Sequence, residues 1–292
     1  MFFCQTVAGG KVVRDIIIFA MPELPEVEIV KEELRKKVEG KIIADLRYDT
    51  AKLLKPSPPS FINGVKGKRI KEVGRRAKLI IFKLAPGGFF ICHLKLSGRL
   101  LFRESPDIED KYVRVVFLFK DGTELRFASS RKFGYLHYLN DRDELAKILG
   151  RYGPEPLGDL SLSSFYQILQ SSGKKIKALL MDQTVIAGIG NIYANDSLWM
   201  AKIHPERRAN SLSRAEGRNL FNALEQVLKE AFRYEGASDQ WYRHTDGSLG
   251  HYQEHFKVYG KKGERCLRCG SKIQYKKING RGTFWCPKCQ RA

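Results

Sequence analysis

Two pairs of cysteines close to the C-terminus constrain the fold of this chain more than any other feature. Cys266 and Cys269 form one C-x-x-C pair, Cys286 and Cys289 form another, and sixteen residues separate the pairs. Two such pairs on a β-hairpin can place four thiolates tetrahedrally around one Zn²⁺. Because four thiolates leave no open coordination position, we predict a single structural zinc ion in a zinc ribbon. A short basic segment with little apolar content needs this kind of cross-link to fold.

The charge of the 292-residue chain favours a polyanionic partner. Its 52 Lys and Arg residues against 32 Asp and Glu residues give a formal net charge of +20. Residues 261–292 contain ten of the basic residues and only one acidic residue. Each phosphate that such a surface neutralises releases condensed counterions, so nucleic acid is the partner that we predict. From charge alone, a merely basic protein without a nucleic-acid partner is the alternative.

Cysteine usage and hydropathy argue against secreted disulfide scaffolds and membrane-spanning proteins. Cys4 and Cys92 lie alone in the sequence, and the other four cysteines are the predicted zinc ligands, a pattern typical of a reducing cytosol. No apolar run approaches the length of a membrane span. The apolar stretch at residues 16–20 is too short for the core of a signal peptide, so we expect a cytoplasmic protein.

A helix is predicted directly after residues 21–24. Val27, Val30 and Leu34 recur at helical spacing, with Pro25 at the start and Gly40 past the end. This arrangement is typical of a complete helix, because proline fits the first turn and glycine the residue after the last. The first twenty residues show neither a period nor a cap.

The rest of the chain changes from strands to helices. Residues 41–139 contain short β-branched and aromatic runs separated by turn residues, which predict a β-sandwich or barrel. Residues 153–156 (Gly-Pro-Glu-Pro) are interpreted as a linker, and residues 236–255, which lack a clear period, as a loop. Helices are predicted at 176–181, from Asn191, and after a capping box at Ser213 and Glu216.

Five motifs and the cysteine pairs together resemble the formamidopyrimidine-DNA glycosylase family. The motifs are Met21-Pro-Glu-Leu-Pro-Glu-Val-Glu28, Gly74-Arg-Arg-Ala-Lys78, His93-Leu-Lys-Leu-Ser-Gly98, Arg131-Lys-Phe-Gly134 and Gly188-Ile-Gly-Asn-Ile-Tyr-Ala194. The resemblance runs from residue 21 to about residue 290. It implies an α+β fold with an N-terminal β-sandwich flanked by helices, a helix–two-turns–helix domain and a four-cysteine zinc ribbon. We expect these parts at residues 21–152, 153–255 and 256–292.

The resemblance implies that Pro22 is a nucleophile. The family uses an N-terminal proline to form a Schiff base with C1′ of the damaged nucleotide. An α-amino group has a pKa near 8, so roughly a tenth of it is neutral at pH 7. In the sequence as written, however, the Pro22 nitrogen is an amide. Translation from Met21, removal of residues 1–20 by processing, or a non-catalytic relative would each resolve this conflict; we expect the first, with residues 1–20 a spurious or disordered extension.

Further site residues follow from the same resemblance. Glu23 matches the catalytic acid, although an acid in the first turn also suits the helix dipole. Lys78 matches a phosphate contact next to the lesion, and Arg281 matches the arginine of the zinc finger, which grips the flanking phosphates and takes part in δ-elimination. Without the family, Lys78 would be interpreted as a solvated residue at the start of a strand, and Arg281 as one more basic residue in a basic module.

The family also fills the gap that an extruded base leaves and grips the DNA backbone. The gap-filling positions match Leu96, Arg131 and Phe133, of which Leu96 and Phe133 resemble core residues when the sequence is read without the family. Tyr112, Lys174 and Asn191 match or lie close to DNA-contacting positions of the family. Asn191 begins a helix whose free amides attract an anion.

The predicted protein is a DNA-repair glycosylase and AP lyase that acts on damaged double-stranded DNA as a monomer. It excises oxidised purines such as 8-oxoguanine or formamidopyrimidines and then nicks the strand by β,δ-elimination. One alternative is an endonuclease VIII-like enzyme for oxidised pyrimidines, although Leu24 stands where that enzyme usually has glycine. A non-catalytic DNA-binding zinc protein is the alternative if residues 1–20 stay attached.

Overall fold

The computed structural model describes residues 21–291. The predicted extension at residues 1–20 therefore lies outside the described residues. The α-helices are α1 Leu24–Val38, α2 Pro58–Val65, α3 Arg142–Leu149, α4 Leu162–Gln170, α5 Ile176–Leu180, α6 Asn191–Met200 and α7 Arg214–Arg233. The strands are β1 Ile43–Tyr48, β2 Leu54–Lys55, β3 Arg69–Arg76, β4 Leu79–Ala85, β5 Phe89–His93, β6 Gly98–Arg103, β7 Val113–Phe119, β8 Glu124–Ser129, β9 Tyr135–Leu139, β10 Gln274–Ile278 and β11 Arg281–Trp285.

The N-terminal part is a β-sandwich, as predicted. One sheet has the strand order β1-β7-β8-β6 and the other β2-β9-β5-β4-β3. Their inner faces meet in a core that contains Phe82, Phe90 and Phe117, with ring centroids 4.2 Å apart for the first pair and 5.2 Å apart for the second. Helix α1 closes the sandwich at its edge, because Val27, Val30 and the following apolar residues on the same face are buried in this core.

The second part is helical and has its own core. Helix α6 is buried along almost its whole length and packs against α7. The predicted capping box opens α7, since Glu216 N donates to Ser213 Oγ and Ser213 N to the Glu216 carboxylate. Among the described helices, none has the length and apolarity that crossing a bilayer requires.

Two regions that the sequence presents as loose connections are packed. In the predicted linker, Glu155 is buried and forms ion pairs with Arg75 at 2.6 Å and Arg76 at 3.1 Å. Residues 153–156 form neither helix nor strand, as a linker would, but Glu155 packs this segment against the sandwich. The segment at 236–255 is indeed a loop apart from a single 3-10 turn at Tyr252–His255, yet Tyr242 within it is buried in the sandwich core.

The zinc ribbon forms at the C-terminus, and its cysteines converge. Strands β10 and β11 pair as an antiparallel hairpin, and the sulfur atoms of the four cysteines all lie within 4.8 Å of one another. A tetrahedron with Zn–S bonds of about 2.3 Å has S···S edges of about 3.8 Å, so the cluster fits one Zn²⁺. The Trp199 indole N–H donates to Cys266 Sγ at 3.3 Å, which links the cluster to α6. The prediction of one structural zinc is confirmed.

Substitution of a ligand should release the metal and loosen the helical part, because Cys266 and Cys286 belong to its core. We expect C286S to bind almost no zinc, against about one equivalent for the parent chain, and to unfold at a lower temperature. Metal analysis by mass spectrometry and thermal unfolding measure both effects. C92A, which alters a cysteine buried in the sandwich, is the matched control and should keep its zinc. Full zinc content in C286S would contradict the assignment.

Candidate active site

The residues ahead of α1 are buried at the junction of the sandwich and the helical part. Pro22 is buried, and the next two residues are fixed by backbone hydrogen bonds. Leu24 N donates to the Gly188 carbonyl oxygen at 3.0 Å, across the two parts of the molecule. Glu23 N donates to the Glu26 carboxylate at 2.8 Å, one turn into the same helix. The position of Pro22 is thus fixed by the hydrogen bonds of the two residues that follow it, Glu23 and Leu24.

The Glu23 carboxylate occupies the N-terminus of α6. Gly190 N donates to one carboxylate oxygen at 2.7 Å and Ile192 N to the other at 2.8 Å. The free amides of this helix terminus were predicted to attract an anion, and the anion that they hold is the carboxylate of Glu23. Glycine is required here, because a Cβ atom at Gly190 would lie 2.3 Å from the Glu23 carboxyl carbon.

Burial sets the protonation of this carboxylate. It raises the pKa of Glu23 to about 7, although the Lys78 ammonium and the two amides oppose the shift. Lys78 is itself buried, donates from Nζ to the Ile189 carbonyl oxygen at 3.1 Å, and has its pKa lowered by the same desolvation. Near neutral pH, Glu23 can therefore exist as a carboxylic acid, the form that donates a proton.

A cleft of about 300 Å³ opens beside Glu23, and its walls are rich in cations. Lys78, Lys95 and Arg281 line it together with His93 and Asn191. Burial, helped by the two lysine charges, lowers the pKa of His93 to about 3, so the ring is neutral. Its Nδ1 accepts from Lys95 N at 3.1 Å, which places the ring proton on Nε2. The cleft can therefore bind an anion through the charges of its lysines and arginine and through the neutral N–H donor of His93.

The position of Arg281 depends on a lysine that the sequence reasoning missed. Lys177 in α5 is buried and donates from Nζ to the Gly282 carbonyl oxygen at 2.7 Å and to Thr283 Oγ1 at 2.8 Å. Burial lowers the pKa of Lys177 to about 7. Asn195 on α6 also holds the hairpin, because its Oδ1 accepts from Phe284 N at 2.8 Å. These bonds bring the zinc ribbon to the cleft.

The three residues predicted to fill the gap in DNA lie on two neighbouring turns. Ser97 ties the turns together, because its Oγ accepts from Arg131 N at 3.0 Å. Phe133 is 53% exposed, and the Arg131 guanidinium lies over its ring at 5.3 Å. Leu96 is half-buried. The core interpretation of Phe133 is therefore wrong, since a large apolar ring faces solvent.

The remaining predicted contacts are more scattered. Tyr112 is 47% exposed, and its ring meets that of Trp241 edge-on at 6.4 Å. Asn191 lines the cleft. Lys174 is exposed and forms an ion pair with Asp182 at 2.8 Å, and it is not among the described residues that line the cleft. The two lysines differ in position: Lys174 precedes the short helix α5, whereas Lys177 lies within α5 on its buried side.

Three family models match the chain in order. The formamidopyrimidine-DNA glycosylase N-terminal domain matches residues 21–136 and the H2TH domain of the same enzymes matches residues 152–242. A zinc finger found in FPG and IleRS matches residues 263–292.

Individual relatives match the sequence of this chain along almost their whole length. The formamidopyrimidine-DNA glycosylase of Listeria innocua is 39% identical over 274 residues, which cover 93% of this chain and 100% of the relative. That of Chloroflexus aurantiacus is 42% identical and covers 92% of this chain and 98% of the relative. A solved complex of a Lactococcus lactis FPG variant with Fapy-dG-containing DNA has a TM-score of 0.86 at 35% identity, covering 93% of this chain and 100% of that one. The chain belongs to the formamidopyrimidine-DNA glycosylase family.

Proposed function

We propose that the chain excises oxidised purines from double-stranded DNA and nicks the resulting abasic site, with Pro22 as nucleophile. The observation that carries this proposal is the place of Pro22, directly beside a buried carboxyl group of raised pKa at the edge of a cationic cleft. Relatives solved with an abasic site and with Fapy-dG in DNA support the substrate class. In this proposal DNA lies between residues 21–152 and 153–255, with 256–292 closing over it.

The reaction begins with Pro22 as a free secondary amine. Its nitrogen forms a bond to C1′ while the glycosidic bond breaks and the electron pair leaves with the base. The nitrogen loses its own proton, and its lone pair then opens the sugar by forming a C=N bond at C1′ while the C1′–O4′ bond breaks, which gives an iminium. Glu23 supplies a proton to the ring oxygen of the opening sugar or to the departing base. The iminium acidifies C2′, so loss of a C2′ proton expels the 3′ phosphate; a second elimination expels the 5′ phosphate, and water then releases the enzyme.

The other predicted residues bind and deform the DNA. Lys78 and Arg281 bind the phosphates on either side of the lesion, since both side chains line the cleft. Asn191 and Tyr112 add backbone contacts. Lys174 adds at most a peripheral contact, because its charge is already paired. In this proposal the protein acts as a monomer, and the free thiols of the cysteines that the structure describes are in keeping with a reducing cytoplasm.

Leu96, Arg131 and Phe133 fill the gap in the helix after the base is extruded. The exposed Phe133 ring can enter a base step, and the neighbouring guanidinium can bond the orphaned partner base. The Phe133 ring is more than half exposed even with the Arg131 guanidinium over it, so it is accessible for stacking on a base, which supports a role in binding.

The nucleophile is tested by trapping the iminium with borohydride on a duplex that contains 8-oxoguanine opposite cytosine. A chain that begins at Pro22 should form a covalent adduct, because its nitrogen is an amine. The 292-residue chain is the matched control, since in it the same nitrogen is an amide, and it should form none. Equal trapping by both chains would disprove the mechanism. A faster reaction on a thymine glycol duplex than on 8-oxoguanine would favour the endonuclease VIII-like alternative.

The charge of Lys78 should lower the pKa of Glu23. We expect a carboxyl titration near pH 7 in the chain that begins at Pro22, and a higher midpoint in K78M, because removal of the ammonium makes the carboxylate harder to form. Carbon-detected NMR of labelled glutamate side chains measures both midpoints, and E23Q identifies the resonance. A midpoint that stays unchanged or falls in K78M would contradict this account of the site.

The exposed ring of Phe133 should contribute to lesion binding. We expect F133A to weaken binding to an abasic-analogue duplex by about tenfold, since stacking on a base is worth roughly 1–3 kcal/mol. Titration of labelled duplex measures the effect. Y48A is the matched control, because Tyr48 is similarly exposed, at 43% against 53%, but lies on β1 and does not line the cleft. Equal losses in the two variants would rule out a specific wedge.

A further inference from the structure

Residues 188–190, between α5 and α6, form a turn whose backbone is bonded to two side chains of the proposed mechanism. Gly190 N donates to the Glu23 carboxylate at 2.7 Å. The Ile189 carbonyl oxygen accepts from Lys78 Nζ at 3.1 Å and, among the described residues, is the one hydrogen-bond acceptor of that ammonium. A shift of this segment, the 188–190 turn, would therefore move the acid and the lysine together.

The backbone of the 188–190 turn also packs directly on the start of α1. Gly188 has a φ of +92°, and a Cβ atom there would lie 2.5 Å from Leu24 Cδ1. Its carbonyl oxygen accepts from Leu24 N at 3.0 Å. Glycine is needed both for this conformation and for this close approach. The place of the turn therefore also determines where the residues beside Pro22 lie.

One side chain, that of Gln183, braces the 188–190 turn. Its Oε1 accepts from Gly188 N at 3.0 Å, and its Nε2 donates to the Ile189 carbonyl oxygen at 2.7 Å. The same Nε2 donates to the Met181 carbonyl oxygen at 3.1 Å, just past the end of α5. Gln183 therefore uses an acceptor and both donors of its amide on the backbone of one loop.

This set of bonds requires a side chain with one acceptor and two donors, as an amide has. Gly188 N can only donate and the two carbonyl oxygens can only accept, so the orientation of the amide is fixed. A carboxylate would accept from Gly188 N but would repel both carbonyl oxygens, and an apolar side chain would satisfy neither end. Because Gly188 is buried, loss of the acceptor would leave its N–H unpaired away from water.

Gln183 and Lys78 share the Ile189 carbonyl oxygen. This oxygen has two lone pairs and accepts from the amide at 2.7 Å and from the ammonium at 3.1 Å. The neutral amide makes the shorter bond, although a charged donor ordinarily does. The ammonium is thus held in direction by one longer bond, and its two other protons stay available for a phosphate oxygen.

We propose that Gln183 is a positioning residue for base excision, which braces the 188–190 turn so that Glu23 and Lys78 meet the lesion in the reactive geometry. The proposal rests on the proposed function. Gln183 lines the cleft, but it acts through the turn, because all three bonds of its amide end on protein backbone. Removal of the amide should therefore slow the reaction more than it weakens binding of the duplex.

The test measures single-turnover excision of 8-oxoguanine and affinity for an abasic-analogue duplex, in the chain that begins at Pro22. We expect Q183M to slow excision about tenfold, because small displacements of reacting groups are costly, and to change the dissociation constant by less than about twofold. Q183E keeps the acceptor for Gly188 N but loses both donors, so it should slow excision at least as much.

Q167M is the matched control. Gln167 is an exposed glutamine on α4 and is not among the described residues that line the cleft. Its substitution should leave the excision rate and the affinity equal to those of the parent chain. Equal losses of rate and affinity in Q183M, or a parent-like rate in either variant of Gln183, would overturn the positioning role.

Amide hydrogen exchange separates positioning from loss of structure. Exchange at Gly188 N should quicken in Q183M and stay slow in Q183E, while the amides of α7 exchange as in the parent chain. Quickened exchange throughout α7 in both variants would assign the lost rate to unfolding and overturn the proposal.

The titration of Glu23 keeps the brace testable if the parent chain neither excises a base nor forms a trapped adduct, a result by which the proposed function fails. The bond from Gly190 N lowers the pKa of Glu23, so a loosened turn should raise the midpoint in Q183M above that of the parent chain. Carbon-detected NMR of labelled glutamate side chains measures it. An unchanged midpoint would overturn the brace.

Discussion

The buried Glu23 carboxylate at the N-terminus of α6 is the interaction on which the rest of the structure depends. It joins the first residues of the sandwich to α6, the third helix of the helical part, and it does so beside Pro22. A carboxylate buried without partners would be very unstable, and two helix amides with a nearby ammonium provide the compensation. The compensation is incomplete, which leaves the pKa of Glu23 at about 7. The same balance that holds the two parts together thus also leaves an acid that can give up its proton near neutral pH.

The contribution of the zinc ribbon to the cleft is the position of Arg281, and its zinc ion has a structural role. Four thiolates complete the coordination of zinc, so the ion has no site for substrate. Its hairpin is held to the helical part by Lys177 and Asn195, and these bonds fix the strand on which Arg281 lies. Burial of the Lys177 amine against carbonyl and hydroxyl oxygens has a desolvation cost, and it lowers the pKa of Lys177 to about 7. These bonds join the finger to the helices so that Arg281 lines the cleft.

Periodicity, capping residues and motifs predicted much of the fold and of the site. The helix after Pro22, the capping box at Ser213 and the cysteine cluster depend on local spacing, which a sequence displays directly. What the sequence could not provide depends on distant partners. The N-terminus of α6 visibly attracts an anion, but only the fold decides that the anion is Glu23. Lys174 and Lys177 look alike in the sequence, but only Lys177 is buried, against a hairpin more than a hundred residues further on. Glu155 and Tyr242 lie in polar, aperiodic segments and are buried for the same reason.

Helix α1 connects the sandwich, the residues beside Pro22 and the loop that follows α7. Its apolar face packs into the sandwich, Glu23 caps its N-terminus, and Glu26 and Glu33 accept hydrogen bonds from the loop that follows α7. A helix is rigid over two turns because every residue in it is fixed by backbone hydrogen bonds. In its first turn, Glu26 accepts from both Ala237 N and Glu23 N, so one carboxylate joins the loop after α7 to the residue beside Pro22. The loop and the residues ahead of α1 are therefore held to one rigid helix.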